Sequence, residues 1–345
     1  MLSRRRVMVI GAFGWALLTA VASSAETAGP AIRSVVQIVY GPSPLDPFRR
    51  PMGMAADRAR GLLVVADTGS HRLLLLDASG RSRGGIPCAA SDSEGRLCEP
   101  RAVAFDAQGR LYVVGNLTRG VEVLTPLGAS LARVDPIAAG DATSSVHGLA
   151  VAPSGRIWMA ISGAHPEVVC MRPTGAIDVR IDHAGGQVPL RAPVSVAVTS
   201  DESLLVVVDA DAERAVSVFR TDGTHIASFG THGEGRGTVS LPTHAAWGPS
   251  NTVWVTDTLR QSILVFDAKG EFLGRVGGYG QEPGQFDHPV ACAFLADDRL
   301  AVLERAGARV QVLEIATTES PATETGSVTA RPDTTVFGVR SEIRR

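Results

Sequence analysis

Apolar residues along this chain come in short runs, cut at regular intervals by Gly, Asp, Ser and Pro. From Pro242 onward, "THAAWG" predicts a strand, "PSN" a turn, "TVWVTD" a strand and "TLRQ" a turn. "SILVFD" then predicts a third strand, "AKG" a turn, and "EFLGRVG" a fourth strand. Turns such as "DAQG", "APSG", "DASG", "PTG" and "TDG" put Gly where a tight hairpin needs positive φ. Past the N-terminal segment no stretch carries a helical apolar period, so the chain reads as all-β.

The pattern is written more than once. "VTDTLRQSILVFDAKGEFLGRV" (255–276) echoes "VADTGSHRLLLLDASGRSRGGI" (65–86). Asp257, Thr258, Leu264, Asp267, Ala268 and Gly270 each have an identical partner 190 residues earlier. Related segments start at Pro51, Pro100, Val146, Pro193, Pro242 and Pro289, at intervals of 49, 46, 47, 49 and 47 residues. That makes six copies of a four-stranded unit, the sequence signature of a six-bladed β-propeller. A lone four-stranded sheet has nothing to cover its two apolar faces; a radial ring of sheets buries each face on its neighbour. The last copy lacks a fourth strand, and "SVVQIVYG" (34–41) precedes the first copy without a place in it. The N-terminal strand is therefore expected to complete the last blade and close the ring, which leaves fewer open edges.

The two ends add compartment. Residues 1–25, "MLSRRRVMVIGAFGWALLTAVASSA", have a basic start, an apolar stretch and a small-residue cleavage site, and are expected to be a signal peptide. The apolar run is short for a membrane span, so no span is expected in the mature chain, which is placed in the periplasm or secreted. The domain is expected over 26–316, followed by a Thr-, Ser- and Pro-rich tail, 317–345, expected to be disordered. Export suits a disulfide between Cys88 and Cys98, ten residues apart in a polar loop. Cys170 and Cys292 sit in apolar runs and read as buried free thiols.

The formal charge is −2, which argues against nucleic acid as a partner. With no helix expected, neither a strand-to-helix nucleophile elbow nor a phosphate-binding loop opening a helix is expected.

At "DTLRQSILVFDAKGEFLGRVGGYGQEPGQFDHP" (257–289) and "DTGSHRLLLLDASG" the chain resembles the NHL-repeat family. The likeness extends over about residues 34–315, strongest in the first and fifth copies and weakest in the second and third. In this family pattern the second strand ends in Asp: here Asp67, Asp209 and Asp257, replaced by Glu304 and lost to Gly115 and Ile161. That Asp is expected to cap the turn. The resemblance implies a binding platform more often than an enzyme, although some NHL-like propellers are metal-dependent lyases with zinc-binding His at the start of first strands.

A first strand lines the central channel, and the residues after its leading Pro lie near the mouth. Met52, Arg101, His147, Thr243 and His244 are thus the candidate ligand- or partner-binding residues. A zinc site would need several converging imidazoles. Only His147 is in register; His244 is one residue off, and strict alternation would turn it away. No metal site, cofactor or catalytic residue is therefore expected. The reading is an exported, non-catalytic propeller that acts as a protein- or peptide-binding platform, or as a subunit of an envelope complex, through its loop-rich face. The alternative is a metal-dependent lyase or lactonase-like enzyme at the channel mouth.

Overall fold

The computed structural model describes residues 29–88, 98–116, 120–137, 141, 143–186 and 188–316. The expected signal peptide and tail lie outside the described residues. The described residues form six four-stranded antiparallel sheets and one small two-stranded hairpin. The first strands of the blades are Gly53–Asp57, Pro100–Phe105, Ser145–Val151, Pro193–Val198, Pro242–Trp247 and Pro289–Ala296. Each first strand packs against that of the next blade, and the sixth packs against the first. This is a six-bladed β-propeller.

Burial follows position in the blade. The second strands Leu62–Asp67 and Val253–Asp257 are buried at nearly every position because both of their faces are covered. The fourth strand Ser130–Val134 is mostly exposed, as an outer edge should be. The core is six separate clusters, one between each pair of neighbouring blades. Trp158, Trp254 and Tyr112, at one position of the second strand, are buried in three of them.

The N-terminal strand runs from Ala31 to Val39, three residues earlier at its start and two at its end than the expected 34–41. It pairs antiparallel with Arg309–Ala316, from Ala31↔Ala316 to Val39↔Val310, and is the outermost strand of the sixth blade. Two register shifts interrupt this pairing, between Ile32 and Ser34 and between Val35 and Gln37.

The repeated phrase has a structural meaning residue by residue. Asp77 and Asp267 each accept two backbone N–H bonds in their hairpin turn, from Ser79 and Arg81 and from Lys269 and Glu271. Gly270 has φ +93°, and a Cβ there would lie 2.4 Å from the Phe229 ring of the preceding blade. Thr68 and Thr258 donate across the blade boundary to the carbonyls of Pro100 and Pro289, both at 2.7 Å.

The Asp at the end of the second strand reaches further than its own turn. Asp257 accepts from the amides of Ser240 (2.7 Å) and Leu241 (3.0 Å), in the link that enters the blade, and from Arg260 N in the hairpin (3.2 Å). Asp209 accepts from Arg191 N and Ala192 N, Asp67 from Arg49 N, and Glu304 from Asp287 N. Where the second copy carries Gly115, the next residue takes over: Asn116 Oδ1 accepts from Glu99 N at 2.7 Å. These side chains hold the incoming link to the blade, and the turn is only part of their work.

Cys88 and Cys98 form the expected disulfide, with Cα atoms 5.5 Å apart. Cys170 and Cys292 are buried free thiols. Among the described residues no helix is long and apolar enough to cross a membrane.

Candidate functional site

In the antiparallel blades, the links between blades and the second hairpin of each blade share one face, here the link face. The first and third hairpins lie on the opposite face. The channel runs between them and is lined by the first strands.

Five of these strands begin with a β-bulge. Register shifts fall between Pro100 and Ala102, Val146 and Gly148, Pro193 and Ser195, Pro242 and His244, and Pro289 and Ala291. The skipped residues are Arg101, His147, Val194, Thr243 and Val290. A bulge resets side-chain alternation, so Thr243 and His244 both line the mouth. The expectation that an offset of one turns His244 away fails for this reason. All five candidates, Met52, Arg101, His147, Thr243 and His244, border one cavity of about 70 Å³.

The polar groups there differ in partnering. His147 is exposed, and its Nε2 lies 2.9 Å from Ser145 Oγ. Desolvation at the mouth, and secondarily the Arg101 charge, lower its pKa below the ordinary histidine value. Thr243 Oγ1 lies 3.0 Å from Thr258 Oγ1 and donates to the Val290 carbonyl at 3.3 Å. His244 sits deeper, at a level where the other five strands carry Gly53, Ala102, Gly148, Ser195 and Ala291. It is the one bulky side chain in that ring. Its Nδ1 is buried without a hydrogen-bond partner, and burial lowers its pKa to about 4.

Two residues further along each strand every blade has alanine: Ala55, Ala104, Ala150, Ala197, Ala246 and Ala293. Beyond this ring the channel widens to a funnel of about 430 Å³ on the opposite face, and His244 borders this space as well. The alanine ring was visible in the sequence as the fourth residue after each start. Its meaning depended on knowing that six copies converge on one axis. Rather than one central depression on the link face, the axis has a narrow mouth there and a wide funnel behind it.

Exposed large apolar side chains are unevenly placed. Tyr40, Leu45, Leu241, Leu259 and Tyr279 lie in links or second hairpins, with Leu45 96% and Tyr279 76% exposed. On the opposite face's hairpins, among the described residues, Leu127 alone is in this group. Among the described residues no three His, Cys, Asp or Glu side chains converge as a metal site would need. The buried carboxylate of Asp209 is committed to two backbone amides.

The architecture defines the class: a single-ring β-propeller. No family profile and no curated protein matches the chain. Solved structures share the fold. A gluconolactonase from Xanthomonas campestris superposes with TM-score 0.60 at 20% identity, covering 84% of this chain and 95% of that one. The calcium-binding protein regucalcin from Agrobacterium tumefaciens gives 0.59 at 14% identity, covering 83% and 95%. A streptogramin B lyase gives 0.56 at 12% identity, covering 81% and 97%. At these identities the likeness carries the architecture and not the chemistry.

Proposed function

We propose that this chain is an exported, non-catalytic propeller of NHL-like repeats that binds a protein or peptide partner through its link face. The observation that carries the proposal is the gathering of Tyr40, Leu45, Leu241, Leu259 and Tyr279 on the face that also holds the channel mouth. Exposed apolar side chains rimmed by polar residues are what a protein interface offers before it is covered. A mouth of about 70 Å³ is far below the size of ordinary small-molecule pockets but suits one anchoring side chain from a partner. Arg101 and His147 would supply its polar contacts; the loop expected at its rim, residues 89–97 between Cys88 and Cys98, lies outside the described residues.

The test is site-specific photocrosslinking in the native envelope, with the crosslinker at Leu259, Tyr279 or Leu127. One adduct of defined mass is expected from Leu259 and Tyr279, and none from Leu127. Adding Arg101→Ala and His147→Ala should reduce its yield severalfold with no change in thermal midpoint. Adducts from Leu127 alone would place the partner on the opposite face. A yield unchanged by the double variant would remove the mouth from the site.

A further inference from the structure

The link between the third and fourth blades leaves the repeat pattern. After the fourth strand Ile177–Ile181 it folds into a hairpin, His183–Ala184 paired with Val188–Pro189, closed by Leu190 N donating to the Asp182 carbonyl at 2.8 Å. This hairpin lies along the flank of the fourth blade and encloses a cavity of about 310 Å³. The cavity is away from the channel and shares no lining residue with the mouth. Its volume reaches the lower end of the range of small-molecule sites.

The walls combine apolar Ala184, Val188, Pro189, Leu190 and Ala212 with charged Asp209, Glu213 and Arg214; Asp209 is committed to link amides and Arg214 Nη1 donates to the Ser228 carbonyl at 3.1 Å. The floor is a connected polar chain. Ser217, on the third strand, is 2% exposed and pairs across to Ser228 on the fourth strand, with their Oγ atoms 2.8 Å apart. Ser228 Oγ lies 2.8 Å from His225 Nε2. His225 and Ser228 can meet, although three apart on a strand, because a register shift skips Ile226 between them. Gly185 of the hairpin presses on the imidazole: a Cβ there would lie 2.6 Å from Cε1. The hairpin backbone thus holds the ring edge-on to Phe219, with centroids 5.4 Å apart.

The chain Ser217–Ser228–His225 can run with either polarity. If His225 Nε2 accepts, Ser228 donates to it and Ser217 donates to Ser228, which leaves serine lone pairs facing the cavity. If Nε2 donates, the order reverses and Ser217 has a free proton to offer. A ligand group that both donates and accepts satisfies either state. Burial holds His225 below the ordinary histidine pKa, and the lining carboxylates Asp209 and Glu213 outnumber the one guanidinium, Arg214, so the cavity does not call for an anion. We propose that this flank cavity is a binding site for a small, uncharged, monocyclic alcohol or phenol, with its ring among Val188, Pro189 and Leu190 and its hydroxyl on the serine–histidine chain.

The test uses the full chain with labelled histidines, the His225 resonance being assigned by its loss in His225→Gln. Phenol and cyclohexanol should shift that resonance saturably and show nuclear Overhauser contacts to His225 and Leu190. Toluene, which lacks the hydroxyl, should bind about fivefold more weakly, the worth of one hydrogen bond. Ser228→Ala should erase the preference for phenol over toluene while the other histidine resonances stay in place. No saturable shift up to the solubility of phenol, or a shift without contacts to Leu190, would overturn the proposal. So would a preference for phenol that survives Ser228→Ala. If Ser228→Ala disturbs the histidine spectrum as a whole, the contacts measured in the unmodified chain decide alone.

Discussion

The hydroxyl of Thr258, at the end of the fifth blade's second strand, donates at 2.7 Å to the carbonyl of Pro289, which opens the sixth blade. The same bond joins Thr68 to Pro100 and Ser162 to Pro193, so alternate blade boundaries are stitched by a hydroxyl in an otherwise apolar contact. Replacing Thr258 by Val keeps the shape and orphans a buried carbonyl. The expected cost is about 1–3 kcal/mol, seen as a lower urea midpoint. An unchanged midpoint would mean that water replaces the bond.

Asp257 should matter more than its neighbour. Its carboxylate is fully buried and holds two link amides and the hairpin amide of Arg260, with the Arg260 guanidinium 3.6 Å away. Asp257→Ala leaves those donors without an acceptor, at an expected cost of about 3–5 kcal/mol. Hydrogen exchange should show the Ser240 and Leu241 amides losing protection first. Equal effects from Thr258→Val and Asp257→Ala would argue against the carboxylate as the main tie.

His244 gives the fold a pH dependence. Its pKa falls from 6.5 to about 4 on burial, so between those values the unfolded chain binds a proton that the folded one does not. Stability from this group is complete above pH 6.5 and is lost as pH falls toward 4, by on the order of 2–3 kcal/mol. His244→Gln should flatten the fall in melting temperature between pH 7 and pH 4.5. An equal fall in both proteins would assign the slope to other groups.

The cysteines should separate into two classes. Burial raises the Cys170 pKa to about 11 and that of Cys292 to about 12, and Cys88 is bonded to Cys98. Iodoacetamide should therefore label nothing in the native protein at neutral pH and two thiols after unfolding without reductant. Loss of the disulfide in a Cys88→Ser, Cys98→Ser variant should cost about 2–3 kcal/mol and make stability insensitive to reductant. Native labelling of Cys170 would show that its blade opens locally.

The sequence by itself determined the number of blades, the four-strand unit and the disulfide. Each depends on local signals repeated in step: apolar runs, Gly at hairpin turns, Pro at the starts, and two cysteines close in sequence. It pointed to the mouth residues because position along a first strand translates into height in the channel. It did not reveal the bulges that place Arg101, His147 and Thr243 at the rim and bring His244 in beside them, since a bulge is set by pairing with the neighbouring strand. It showed an alanine in every copy without showing that the six meet around one axis. The wide funnel, the orphaned Nδ1 of His244 and the Ser217–Ser228–His225 chain under the flank hairpin were decided only by the tertiary structure. They arise between segments distant along the chain, where no local pattern records which side chains will face each other.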